Sequence, residues 1–186
     1  MAARGNTRAQ IVDVAMRRFI EQGYDRTSLR EIADELGVTK AALYYHFRTK
    51  DDIVRSAVAG YSERIAELAA WAVAEPRGQA RDAQLVDRLV ELIGTDGGVV
   101  LRFAQVNPTV MAGTEFGSLQ LDVLRALITA IAGPDPQPEG TLRASLVFAA
   151  LMLGITDTPL PMGDDPAARA AAVRTVALEL LAPLSA

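Results

Sequence analysis

Apolar residues recur every three or four positions along nearly the whole chain, and nowhere do they alternate with a period of two. Ile11, Val12, Ala15 and Phe19 fall on one face of a first helix, with Thr7 placed to cap it and Gly23 to stop it. A second helix starts at Thr27–Ser28, where Ser28 and Glu31 have the spacing of a capping box. Its apolar face is Ile32, Ala33 and Leu36, and Gly37 offers the left-handed exit that other residues resist. Thr39 can cap a short third helix to about Phe47, whose Leu43 and Phe47 turn the same way. A long helix is predicted over about 50–75, ended by Pro76, and others over about 79–93, 99–106, 115–132 and 141–153. Asn107-Pro108, Pro159, Pro161 and the proline-rich loop 133–140 break the pattern, and Thr141 is placed to cap the helix that follows that loop. Asp165 caps the last helix, with Pro166 at its favoured first position. The chain therefore reads as all-α with about nine helices, its three short leading helices (1–50) forming one domain and 51–186 a second.

Composition narrows the chemistry. With 186 residues and half of them hydrophobic, the chain can bury a real core. It has no cysteine, which removes disulfides, thiolate catalysis and iron–sulfur or cysteine–zinc ligation, and one histidine is little for a metal cluster. No cofactor or metal is implied. Nucleophile–base pairs, phosphate-binding glycine loops and an HExxH motif are missing, so an enzyme is not expected. Met1–Gln10 is polar, and the longest apolar run, Leu146–Leu153, is too short to span a bilayer. A cytoplasmic protein without a membrane partner is the expectation.

The net charge of -4 argues at first against a nucleic-acid partner. Its distribution reverses that. Residues 1–50 carry 9 basic and 6 acidic side chains, whereas 51–186 carry 10 basic and 17 acidic. Both lysines, Lys40 and Lys50, and the single histidine, His46, lie in the first segment.

Helices two and three are separated by only Gly37-Val38, the pattern of a helix-turn-helix. Leu43 and Phe47 use up the buried side of helix three, leaving Lys40, Ala41, Tyr44 and Tyr45 elsewhere on its surface. Small residues permit close approach to a major groove. Lys40 can donate to guanine, and the Ala41 and Ala42 methyls can meet thymine methyls. Tyr45, His46 and Lys50 are donors able to reach phosphates, and the free amides that open the helix at Lys50 also favour an anion. Arg4, Arg8 and Arg48 add electrostatic background.

The runs Thr27-Ser28-Leu29-Arg30-Glu31-Ile32-Ala33, Leu36-Gly37-Val38-Thr39-Lys40 and Leu43-Tyr44-Tyr45-His46-Phe47-Arg48-Thr49-Lys50 resemble the TetR family of bacterial transcriptional regulators. The likeness covers about residues 7–53. It implies a homodimer on a palindromic double-stranded operator, with a C-terminal domain that binds an effector and couples it to DNA release. By position, Lys40 and Tyr44 resemble base-contacting residues. Thr27, Thr39, Tyr45, His46 and Lys50 resemble phosphate-contacting ones, and Arg30 lies where some members reach a base or a phosphate. Thr27, Ser28 and Thr39 also read simply as helix caps.

Beyond the first 53 residues there is no diagnostic motif. The helix over 141–153 is apolar nearly all round, so it is covered on every side. With the final helix it suggests a two-fold interface using Leu146, Ala150, Leu153, Val173, Val176 and Leu180, and an intramolecular core is the alternative. Trp71, Phe103, Met111, Phe116, Phe148 and Met152 are candidates to line an effector pocket or, equally in kind, to fill plain core. Arg102 and Asn107 are the polar handles nearby, which favours a small, mostly apolar effector. The competing reading is a DNA-binding regulator or adaptor with no small-molecule ligand.

Overall fold

A computed structural model of the protein describes residues 3–112, 115–133, 136–155 and 165–184. Ten α-helices and no strand occur among them: α1 (Ala3–Gln22), α2 (Leu29–Leu36), α3 (Lys40–His46), α4 (Lys50–Ala74), α5 (Gln79–Leu92), α6 (Gly98–Val106), α7 (Pro108–Met111), α8 (Glu115–Ala132), α9 (Pro138–Ile155) and α10 (Pro166–Leu181). The all-α reading holds. The breaks at Pro159 and Pro161 lie outside the described residues.

Two starts differ from the sequence reading. Thr7 sits inside α1, which begins at Ala3. Thr141 sits one turn inside α9, and its N–H donates to Gln137 O (3.0 Å), because Pro138 occupies the position where its missing N–H costs nothing. The extra helix, α7, is a single turn that Pro108 starts rather than prevents. Between α5 and α6 the chain kinks one residue after Gly94. It passes through a wide turn, Ile93–Gly97, with Thr95 at φ -111°, ψ -134°.

The described residues form two compact units. The first runs to Tyr61 and includes Val99–Gln120, and the second comprises Ser62–Gly98 and the chain from Leu121 onward. In the first, α1 packs on α2 and α2 on α3. Ile11, Ala15, Met16, Phe19, Ile32, Leu43, Phe47 and Ile53 are buried there. The helical segment 98–106, which the sequence reading gave to the C-terminal domain, contributes its Phe103 ring to this core beside Phe19 (centroids 6.1 Å apart).

In the second unit, α10 lies along α9 and also meets α5. A Cβ on Gly154 would stand 1.8 Å from Val173 Cγ2, so glycine is what allows this close approach. Arg81, buried in the first turn of α5, ties the unit together. Its Nε donates to Ala72 O near the end of α4 (3.0 Å), and a terminal nitrogen donates to Ala130 O near the end of α8. The other terminal nitrogen meets Asp82 Oδ1 at 2.9 Å. Both carbonyls belong to last turns, where no intrahelical donor exists. No described helix is long and apolar enough to cross a membrane.

Candidate nucleic-acid interface

The turn between α2 and α3 is built from local chemistry. Ser28 N–H donates to Glu31 Oε2 (2.8 Å) and Glu31 N–H to Ser28 Oγ (3.3 Å), completing the capping box. Such a cap contributes about 1 kcal/mol. The two Ser28 donors hold the Glu31 carboxyl below its ordinary range. Gly37 ends α2 with φ 65°, and Val38 N–H closes the turn on Ala33 O (3.0 Å). Thr39 Oγ1 then accepts from Ala42 N–H (3.1 Å), which fixes where α3 begins.

This start sets the rotation of α3. Leu43 and Phe47 are buried, so Lys40, Ala41, Tyr44 and Tyr45 share the exposed side, with Tyr45 80% exposed. The Lys40 ammonium lies 5.4 Å from the Tyr44 ring centre, and His46, half-buried, meets the Tyr45 ring edge-on (5.2 Å). Four of the sequence candidates thus form one polar and aromatic face on a short, well-seated helix. Arg30 is exposed on α2, 3.8 Å from Asp34.

Two other candidates lie differently. Thr27 is only 2% exposed, and its hydroxyl donates to Gly23 O (3.0 Å), so it supports the α1–α2 turn and is not the cap. Lys50 Nζ donates to Tyr24 O at 2.6 Å and sits 4.3 Å above the Tyr24 ring. The amides around the start of α4 are partly engaged. Asp52 Oδ2 accepts from Thr49 N–H (2.9 Å) and Arg48 N–H (3.2 Å), while Asp52 N–H donates to Thr49 Oγ1 (3.1 Å). Those donors, led by Thr49, hold the Asp52 carboxyl below its ordinary range, so a carboxylate of the chain itself occupies part of the anion site expected there. The Thr49–Asp52 spacing carried that signal.

Asn107 was not visible as part of this region. It is 8% exposed and belongs to the first unit, where its side chain bonds backbone groups of α1 and of the turn after it. No feature of the sequence brings position 107 to position 24. The effector candidates divide as well. Phe103 and Met111 are buried in the first unit, and Trp71, Phe148 and Met152 are half-buried in the second. The Arg88 guanidinium lies 3.9 Å over the Trp71 ring. The Phe116 side chain lies outside the described residues.

Residues 11–57 match the model of the "Bacterial regulatory proteins, tetR family". Over those residues the chain is similar to the TetR family. Among curated TetR-family relatives, the transcriptional regulator AcrR of Shigella flexneri is 53% identical over 47 residues, 25% of this chain and 22% of that protein. The negative regulator of the icaADBC biofilm operon, IcaR of Staphylococcus epidermidis, is 43% identical over 49 residues, 26% of each chain. The chain matches only about a quarter of either relative's length. Both relatives are transcriptional regulators by name. Solved structures extend the likeness in fold. AmtR of Mycobacterium smegmatis superimposes with a TM-score of 0.63 at 25% identity, over 94% of this chain and 86% of that one. PfmR of Thermus thermophilus gives 0.69 at 18% identity, over 92% and 96%.

Proposed function

We propose that the protein is a dimeric DNA-binding transcriptional regulator, a repressor that a small-molecule effector releases from a palindromic operator. The observation that carries this reading is the exposed face of α3, where Lys40, Ala41, Tyr44 and Tyr45 stand outward on a helix locked by Thr39 and Gly37. On this reading α3 enters the major groove and Lys40 and Tyr44 meet base edges. Thr39, Tyr45 and His46 meet the phosphates, and Arg30 approaches from α2. Lys40→Ala is expected to relax base preference by about 1–3 kcal/mol at one position of each half-site, as read by selection of bound DNA fragments. Unchanged discrimination would remove Lys40 from base contact.

The dimer is supported by apolar side chains that the second unit leaves uncovered. Leu142, Leu146, Ala149 and Leu153 are exposed along one side of α9, at helical spacing, and Val176 is exposed on α10. Ala150 and Leu180 are half-exposed, whereas Val173 is spent within the chain against Gly154. A C2 interface would cover Leu146, Leu153 and Val176. Light scattering is expected to report a dimer, and a Leu146→Glu, Leu153→Glu double variant a monomer. A wild-type monomer at micromolar concentration would contradict the two-half-site reading.

The effector is taken to bind the second unit, with Trp71, Phe148 and Met152 as the candidates left there, and to be small and mostly apolar. It lowers operator affinity only by its differential affinity for the two states of the dimer. The helix α4 contributes residues to both units and is the covalent lever between them.

A further inference from the structure

Tyr24, in the turn after α1, is held from two directions. From one side come residues of α6 and the position after it. Tyr24 N–H donates to Asn107 Oδ1 (3.2 Å), and Asn107 Nδ2 donates to Phe19 O and Phe103 O (both 3.3 Å). One buried amide thus serves a last-turn carbonyl of α1, a carbonyl of α6 and the Tyr24 N–H. The Tyr24 ring lies 5.1 Å from that of Phe19 and 6.1 Å from that of Phe103.

From the other side comes the first turn of α4. The Tyr24 carbonyl accepts from Lys50 Nζ, the Tyr24 ring lies under the same ammonium, and the Tyr24 hydroxyl donates to Asp51. Burial, then the hydrogen bond and negative charge of Asp51, push the phenol well above the usual tyrosine range, so the hydroxyl stays a donor. An ammonium has three N–H groups, and the Tyr24 carbonyl takes one. Lys50 is only half-buried, so its remaining donors stand in a place that Tyr24 defines.

We infer that Tyr24 is a relay between α6 and the DNA-facing charge of Lys50, with Asn107 the positioning residue that keeps Tyr24, and hence the Lys50 ammonium, in place to meet a phosphate. This rests on the DNA-binding reading above. The physical basis is pre-organisation: a lysine already fixed loses less side-chain freedom when it meets a phosphate than one moving freely. All four residues of this linkage, Phe103, Asn107, Tyr24 and Lys50, belong to the first unit.

The chain has two lysines, which makes the test direct. In protein labelled only at lysine, the Lys50 methylene signal beside the Tyr24 ring is expected to be shifted by the ring. Asn107→Leu, or the milder Asn107→Ser if the first does not fold, is expected to move that signal towards a motionally averaged position and leave Lys40 unmoved. With a random-sequence duplex as probe, Asn107→Leu and Lys50→Gln are each expected to reduce the slope of log affinity against log salt by about two for the dimer, about one per Lys50, and the double variant by no more than either. A Lys50 signal indifferent to Asn107, or additive effects in the double variant, would overturn the relay. Failure of the wild type to bind the duplex at low salt would overturn the DNA-binding reading and with it the phosphate role of Lys50, while the signal shift would still report the Asn107–Tyr24–Lys50 linkage.

Discussion

Arg81→Met is expected to destabilise the protein by about 3–5 kcal/mol, a large part of the roughly 5–15 kcal/mol that holds a domain together. The loss has two sources. The Ala72 and Ala130 carbonyls, both in last turns and both buried around the guanidinium, lose their side-chain donor. The Asp82 carboxylate, itself only 4% exposed, loses the cation 2.9 Å away. Methionine fills most of the volume but donates nothing. The comparison is Arg174→Met, which breaks an ion pair with Asp87 on an exposed surface and should leave the urea midpoint nearly unchanged. Equal midpoints for the two variants would show that Arg81 does not fasten α4, α5 and α8.

Phe103→Ala is expected to cost about 3–5 kcal/mol with no ligand present, because the ring is fully buried between Phe19 and Tyr24. Part of the cost is the cavity, and part is the aromatic pairing, worth about 0.5–1.5 kcal/mol per pair beyond burial. A residue lining an effector pocket behaves otherwise: its truncation changes the response to ligand while leaving stability nearly intact. Urea denaturation separates the two. A near-wild-type midpoint would return Phe103 to the list of pocket candidates.

The contrast between Phe103 and Ser28 shows what the sequence could reveal. The Ser28–Glu31 box, the Gly37 exit, the Thr39 cap and the Asp165–Pro166 start are decided within four residues, so spacing exposes them. The outward face of α3 follows from the same local rule, since Leu43 and Phe47 fix its rotation. Phe103, Asn107 and Arg81 depend on partners 49 to 88 residues away in the case of Ala130 and Phe19, and periodicity carries no such information. Asn107 beside Pro108 looked like a polar handle in an apolar segment; its partners are the end of α1 and the turn at Tyr24. Lys50 is legible as a donor able to reach a phosphate, but its cradle is not, because that cradle is a backbone carbonyl and a ring 26 residues earlier. The uncovered side of α9 was legible only as an apolar helix. Which residues remain exposed, with Leu146 outward and Val173 inward, was settled by how α10 lies against it.

On the proposed reading, a mildly basic head on an acidic chain binds duplex DNA through α3 and the phosphates around it. The most direct measurement is the anisotropy of a labelled duplex across a salt series. Binding is expected at low salt, with log affinity falling linearly against log salt at about 0.9 per phosphate neutralised. For about 6–10 phosphate contacts across a dimer, that is a loss of about 10³–10⁵ in affinity between about 50 and 200 mM salt. Absence of binding at low salt, or an affinity flat across the series, would contradict it.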